Sequence, residues 1–205
     1  MIKAVIFDFD LTLVNSLWQK IHMLWHFSRD NNTSFIKIIL SLPKIFGKPV
    51  RELTRKYSNH SQEETLKKYK KQFIKTEHLA KFNGANILKE LKKRKIKTGI
   101  ISNELKDCIL YSLKKHKAKV DIVLSTEKTD KIKPHPYLLL KAIKKLKVKP
   151  SEVLYIGDHP KDIKMGKRAK TKTAGVINIL HGARRLEKEK PDYLIRNIDE
   201  VIDII

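Results

Sequence analysis

The sequence is short of cysteine, glycine, proline, aromatic residues and acids, and each shortage narrows its class. A single cysteine in 205 residues rules out an internal disulfide framework, and no CxxC pair marks a zinc site. Seven glycines and seven prolines rule out collagen-like or low-complexity chain. Aromatic residues make up 7% and do not interleave with the basic runs, so a stacking platform for single strands is poorly supported. Apolar stretches are short, as in Ile38-Ile39-Leu40, and none approaches the ~20 residues of a membrane span. The opening MIKAVIFDFD runs from a brief apolar segment straight into acids, unlike a secretory leader. A soluble, cytoplasmic protein without a membrane partner is expected.

Acids are the most telling shortage. Asp and Glu number 22 against 45 Lys and Arg, a net charge of +23. Such an excess attracts polyanions to some degree whatever the function. Its distribution is that of a solvated surface: in LKELKKRKIK (88–97) and KAIKKLKVK (141–149), apolar residues keep helix or strand spacing and lysines fill the solvent side. No nucleic-acid-binding signature accompanies the charge, so nucleic acid is allowed as a partner but not favoured. Between Leu11 and Arg51 the only acid is Asp30. That segment, with Lys37, Lys44, Lys48 and Arg51, suits a lid over an anionic substrate, or is chance in a lysine-rich chain.

What is present is a core. Hydrophobic residues make up 41%, enough to bury one domain, with or without an insert. Compact apolar runs at 2–7, 96–102, 120–125, 153–157 and 173–179 read as buried strands. Helix periodicity fills 86–94, 104–116, 136–147 and 160–170. Strands alternating with helices of this length predict an α/β fold, a doubly wound, Rossmann-like parallel sheet. Residues 16–80 break the alternation with helical patterns at 16–29, 34–42, 49–57 and 62–78. The expected organisation is a core domain of residues 1–15 and 82–205, with a small all-helical cap domain, 16–81, inserted after the first strand. The tail predicts an edge strand and a short helix. Trp18, Leu24, Trp25 and Phe27 are expected to pack inside the cap. His22 and His26, four apart, lack a third ligand and read as structural or substrate-facing.

A doubly wound sheet gathers the carboxyl ends of its strands on one edge, where ligands bind. Asp8, Asp10 and Thr12 follow the first strand, Ser102 and Asn103 another, and Asp158 and Asp162 a third, with Lys133 just ahead of a helix. Several carboxylates packed together must be neutralised, and a hard divalent cation does so with oxygen ligands. Mg²⁺, carboxylates, a hydroxyl and a lysine are the groups phosphoryl chemistry needs, with one Asp left as nucleophile.

DFDLTLVNS (8–16), ISN (101–103), KPHP (133–136) and GDHPKDIKMGKRA (157–169) together resemble, in order and spacing, the four motifs of the haloacid dehalogenase-like hydrolases. FGKPVREL (46–53) resembles the Gly-x-Pro loop of phosphoglycolate-phosphatase-like members. The resemblance implies that Asp8 attacks phosphorus and that Asp10 protonates the leaving oxygen and then activates water. It implies that Lys133 balances charge, that Ser102 and Asn103 bind the phosphoryl group with Thr12 fixing the first-motif loop beside it, and that Asp8, Asp10, Asp158 and Asp162 surround Mg²⁺. Gly47, Lys48 and Arg51 would face the substrate. The chain departs from the family at Leu11, where glycine is usual, and at His159-Pro160 within the fourth motif. The implied activity is Mg²⁺-dependent hydrolysis of small phosphorylated metabolites, phosphoglycolate- or sugar-phosphate-like, by a monomer or homodimer. The alternatives are a metal-independent dehalogenase-type hydrolase, and a nucleic-acid-end phosphatase or binding protein.

Overall fold

The structure is a computed structural model and describes residues 1–45, 48–180 and 182–205, with only the backbone of 41–45. Its centre is a six-stranded, wholly parallel sheet formed by β1 (Ala4–Phe7), β4 (Lys97–Ser102), β5 (Ile122–Ser125), β6 (Val153–Gly157), β7 (Lys172–Val176) and β8 (Tyr193–Ile195). The strand order is β5-β4-β1-β6-β7-β8. The first strand is therefore central, with Phe7 opposite Ile100 on one side and Ile156 on the other. This is the expected α/β class.

Period-two alternation explains why β1 is apolar at every position. Val5 and Phe7 face one layer, with Ile87, Leu91 and Ile109 from α5 (Ala85–Lys93) and α6 (Lys106–Lys115). Ala4 and Ile6 face the other, with Leu139, Ile143 and Met165 from α7 (Tyr137–Leu146) and α8 (Pro160–Arg168). A strand covered on both sides has no room for an outward polar row. Gly99 is required by close approach, since a Cβ there would lie 2.9 Å from Ile122 in the neighbouring strand.

The helical block comprises α1 (Leu17–Asp30), α2 (Phe35–Ile45), α3 (Val50–Tyr57) and α4 (Gln62–Thr76). It leaves and returns through an antiparallel ribbon of β2 (Val14–Asn15) and β3 (Lys81–Phe82), which pairs Val14 with Phe82 and Asn15 with Lys81. Two-residue strands carry no readable periodicity, so the sequence gives no sign of the ribbon. The chain returns through Glu77, 1% exposed, which accepts hydrogen bonds from Ser112 Oγ at 3.2 Å and His116 Nε2 at 2.7 Å and pairs with Lys115.

Several expectations shift. The run at 173–179 ends as a strand at Val176, and a short α9 (Gly182–Glu187) follows it unforeseen. Trp18 does not pack inside the helical block but lies 68% exposed on its outer side. His22 and His26 meet Trp25 there with rings tilted or edge-on, centroids 4.8 Å apart for the His pair, away from the cavity described below. No helix among the described residues is long and apolar enough to cross a membrane.

Candidate active site

The carboxyl ends of β1, β4 and β6 bring together residues about 150 positions apart. Asp8 leaves the end of β1 with its backbone N–H bonded to the Ile156 carbonyl, 2.7 Å. Its carboxylate Oδ1 accepts from the Phe9 N–H at 2.7 Å and pairs with Lys133 Nζ at 2.8 Å. Lys133 also reaches Asp162 Oδ1 at 2.7 Å, so one buried ammonium spans two carboxylates. Arg168 holds the segment by donating to the Pro134 carbonyl at 3.0 Å.

Asp158 follows β6 and receives a hydrogen bond from Asn178 Nδ2 at 2.8 Å. One carboxylate oxygen from each of Asp8, Asp158 and Asp162 lies within 4.8 Å of the others. Asp162 is fully buried, and Tyr155 OH and the His159 N–H donate to it at 3.0 and 3.1 Å in addition to Lys133. The His159 contact belongs to a capping box that starts α8, with Pro160 in the first turn; the two residues that depart from the family pattern thus build the helix start.

Burial is the main influence on these acids. It pushes the Asp8 carboxyl up to about 7 against the pull of Lys133. Burial, with Asp8 and Asp162 close by, holds Asp158 well above the usual carboxylate range. For Lys133, burial opposes the charge, but Asp162 and Asp8 outweigh it and keep the ammonium protonated beyond its ordinary range. Buried oxygen donors that repel one another in this way fit a hard divalent cation, and of the three acids Asp162 carries the Tyr155 and His159 hydrogen bonds in addition to Lys133.

Ser102, 1% exposed, ends β4, and its Oγ accepts the Glu104 N–H at 3.1 Å. Ser102 and Asn103 both line the cavity over the acids. Asp10 lies on its rim, one carboxylate oxygen bound by Ser16 Oγ at 2.7 Å and Lys20 Nζ at 3.2 Å.

Other expected residues fall elsewhere. Thr12 is 3% exposed and is not among the residues lining the cavity; its hydroxyl is buried without a hydrogen-bond partner among the described residues. Arg51 is not among the residues lining the cavity and donates to the Glu127 carbonyl at 3.0 Å. Lys48 does line the cavity, but its ammonium pairs with Glu52, one helical turn on, at 2.6 Å. Gly47 and the side chain of Lys44 lie outside the described residues.

The structure adds a cluster that the sequence did not single out. Lys20 of α1 and Tyr69 of α4 both meet Glu104, which is 1% exposed in the loop after β4, Tyr69 donating at 2.7 Å. Lys20 thus bridges Asp10 and Glu104. Burial opposes its charge, and Asp10 and Glu104 raise its pKa well above the ordinary lysine value. The available signal was spacing: Ser16 and Lys20 stand one turn apart at the head of a helix, and both reach the same Asp10 oxygen.

Leu11 explains the family's usual glycine. Its φ is +57°, the left-handed region, where a side chain costs about 1–2 kcal/mol. A family profile described as haloacid dehalogenase-like hydrolase matches residues 5–176, the stretch that carries every one of these site residues except Asn178. The chain belongs to the haloacid dehalogenase-like hydrolases. Among solved structures, this family member is similar over 98% of its length to all of a Bacteroides fragilis protein described as a haloacid dehalogenase-like hydrolase, with 25% identity and a TM-score of 0.76. A phosphatase of the same superfamily from Thermococcus onnurineus matches in fold, with a TM-score of 0.72 and 22% identity over 99% of this chain and 97% of that one. Pyrophosphatase PpaX of Bacillus cereus is 38% identical over 84 residues, 41% of this chain and 39% of the relative's length. The match thus spans about two fifths of that relative.

Gly157 sets the spacing of the haloacid dehalogenase-like centre. A Cβ there would lie 2.4 Å from Asp162 Cγ and 2.6 Å from its Oδ2. Gly157→Ala is expected to push Asp162 away from Lys133 and Tyr155 and to destabilise the protein by about 1–3 kcal/mol. A denaturant melt checks it, and an unchanged midpoint would mean that the loop yields without cost.

Proposed function

We propose that this chain is a Mg²⁺-dependent phosphatase of small phosphorylated molecules that works through an aspartyl-phosphate on Asp8. The observation that supports this best is the Lys133 ammonium shared by Asp8 and Asp162 at 2.8 and 2.7 Å, beside Asp158 and at the floor of a cavity. A carboxylate held by one fixed cation at a strand end is oriented to attack, and the same ammonium offsets charge on a transferring phosphoryl group.

In this reading an Asp8 oxygen attacks phosphorus while the bond from phosphorus to the leaving oxygen breaks. Asp10, in its protonated form, gives its proton to that oxygen, and the alcohol departs. Asp10 then takes a proton from a water that attacks the same phosphorus. Phosphate leaves, and Asp8 is restored. Ser102 and Asn103 line the cavity where the phosphoryl oxygens would sit. Asp8 and Asp158, with the main-chain carbonyl of Asp10, would hold Mg²⁺, which supplies positive charge to the carboxylates and the phosphoryl oxygens. Asp162, already bound by Lys133, Tyr155 and the His159 N–H, acts by fixing Lys133. Residues 16–81 form the cap that closes over the substrate, and Lys20 and Tyr69 tie it to Glu104 of the core.

The test is phosphate release from a panel of phosphomonoesters with Mg²⁺ and with chelator. Release that stops on chelation and returns with Mg²⁺ is expected. Asp158→Asn is expected to raise the Mg²⁺ concentration needed for half-maximal rate by about 10-fold or more. Full activity in chelator would instead favour the metal-independent hydrolase.

A further inference from the structure

Resting on the phosphatase reading, we propose that the leaving group accepted above Asp8 is a compact apolar alcohol rather than a sugar or glycolate. One cavity of about 170 Å³ runs from the acids to the helical block. Its roof is formed by Met23, Leu24 and Phe27 of α1 and Val50, Leu53 and Tyr57 of α3. These positions keep helical spacing, so each helix turns one apolar face to the cavity. Leu11 adds an aliphatic side chain from the floor, at the left-handed position where glycine would offer none.

Apart from the Tyr57 hydroxyl, the polar groups among the roof residues described are already taken. Lys20 is bound to Asp10, Glu104 and Tyr69. Lys48 pairs with Glu52 at 2.6 Å, and the Thr54 hydroxyl accepts from Gln62 Nε2 at 2.7 Å. A sugar entering this roof would give up water from several hydroxyls and find one, the Tyr57 hydroxyl, to pair with, which is unfavourable. An alkyl group would give up only apolar hydration, which is favourable. The volume argues for compactness, since an apolar cavity of about 150 Å³ holds a molecule the size of benzene.

The test uses the full chain with Mg²⁺ and a series of methyl, propyl, butyl and pentyl phosphate, against glucose 6-phosphate and 2-phosphoglycolate. The kcat/KM value is expected to rise about three- to fourfold per methylene up to the capacity of the roof. Butyl phosphate should then exceed methyl phosphate by about 30-fold or more, and exceed both polar esters. Leu24 and Leu53 are only partly buried, so Leu24→Asn and Leu53→Asn are testable without opening the core. Each should lower the butyl-to-methyl ratio at least about fivefold, with circular dichroism confirming that the variant is folded. Acetyl phosphate, which needs Asp8 but little of the roof, tests the phosphatase reading separately. Turnover of acetyl phosphate with a flat alkyl series, or with glucose 6-phosphate as good as butyl phosphate, overturns the apolar leaving group alone. No turnover of acetyl phosphate or of any ester overturns both.

Discussion

Asp8→Asn is expected to lower phosphate release by at least about 10⁴-fold while leaving the protein as stable as before, or more so. The two halves of that expectation have different causes. The rate falls because an amide oxygen is a poor nucleophile and cannot carry the phosphoryl group. Stability holds because burial already makes the Asp8 charge costly, holding its carboxyl near 7, so a neutral side chain of the same shape removes a penalty. The amide oxygen can still accept the Phe9 N–H, and Lys133 keeps Asp162. Phosphate release and a thermal melt on one preparation read both halves. Wild-type turnover in this variant would remove Asp8 as nucleophile, and a sharply lower Tm would make its role structural.

Lys133→Met should instead cost both activity and stability. Met resembles the lysine stem in length but leaves two buried carboxylates without their shared cation. Breaking a buried pair from one side costs about 3–5 kcal/mol, which lowers Tm in a chain of this size by on the order of 10 °C. Turnover should fall with it, because Asp8 loses the group that orients it. Lys133→Arg separates charge from shape: the cation is kept, but a planar fork must fit where one ammonium spans 2.7 and 2.8 Å contacts. Partial recovery of Tm without recovery of turnover is the expected pattern, read by the same melt and by phosphate release.

The sheet was legible because its strands are short apolar runs divided by helices, and because a β1 buried on both faces has no alternation to confuse with a surface strand. The gathering of Asp8, Ser102, Lys133 and Asp158 was legible for a topological reason: parallel strands place their carboxyl ends on one edge, so acids that follow strands must meet there. Contacts made across helices were less so. Lys20 and Glu104 sit in unremarkable runs, and only the packing of α1 and α4 against the loop after β4 pairs them. Lys48 and Arg51 were read from local charge, which does not say that a lysine will find Glu52 or that an arginine will find a carbonyl of the core. Thr12 lies within a motif, yet the turn at Leu11 sends its side chain into the interior rather than the cavity.

The narrow neck formed by Val14–Phe82 and Asn15–Lys81 has a consequence for how such a molecule can change. Once the ends of an excursion are pinned side by side, its length hardly matters to the remainder of the chain: doubling it costs only about 0.6 kcal/mol in closure entropy. What lies between the two pairs can therefore lengthen or shorten at little entropic cost, provided that Ser16, Lys20 and Tyr69 keep their contacts to Asp10 and Glu104.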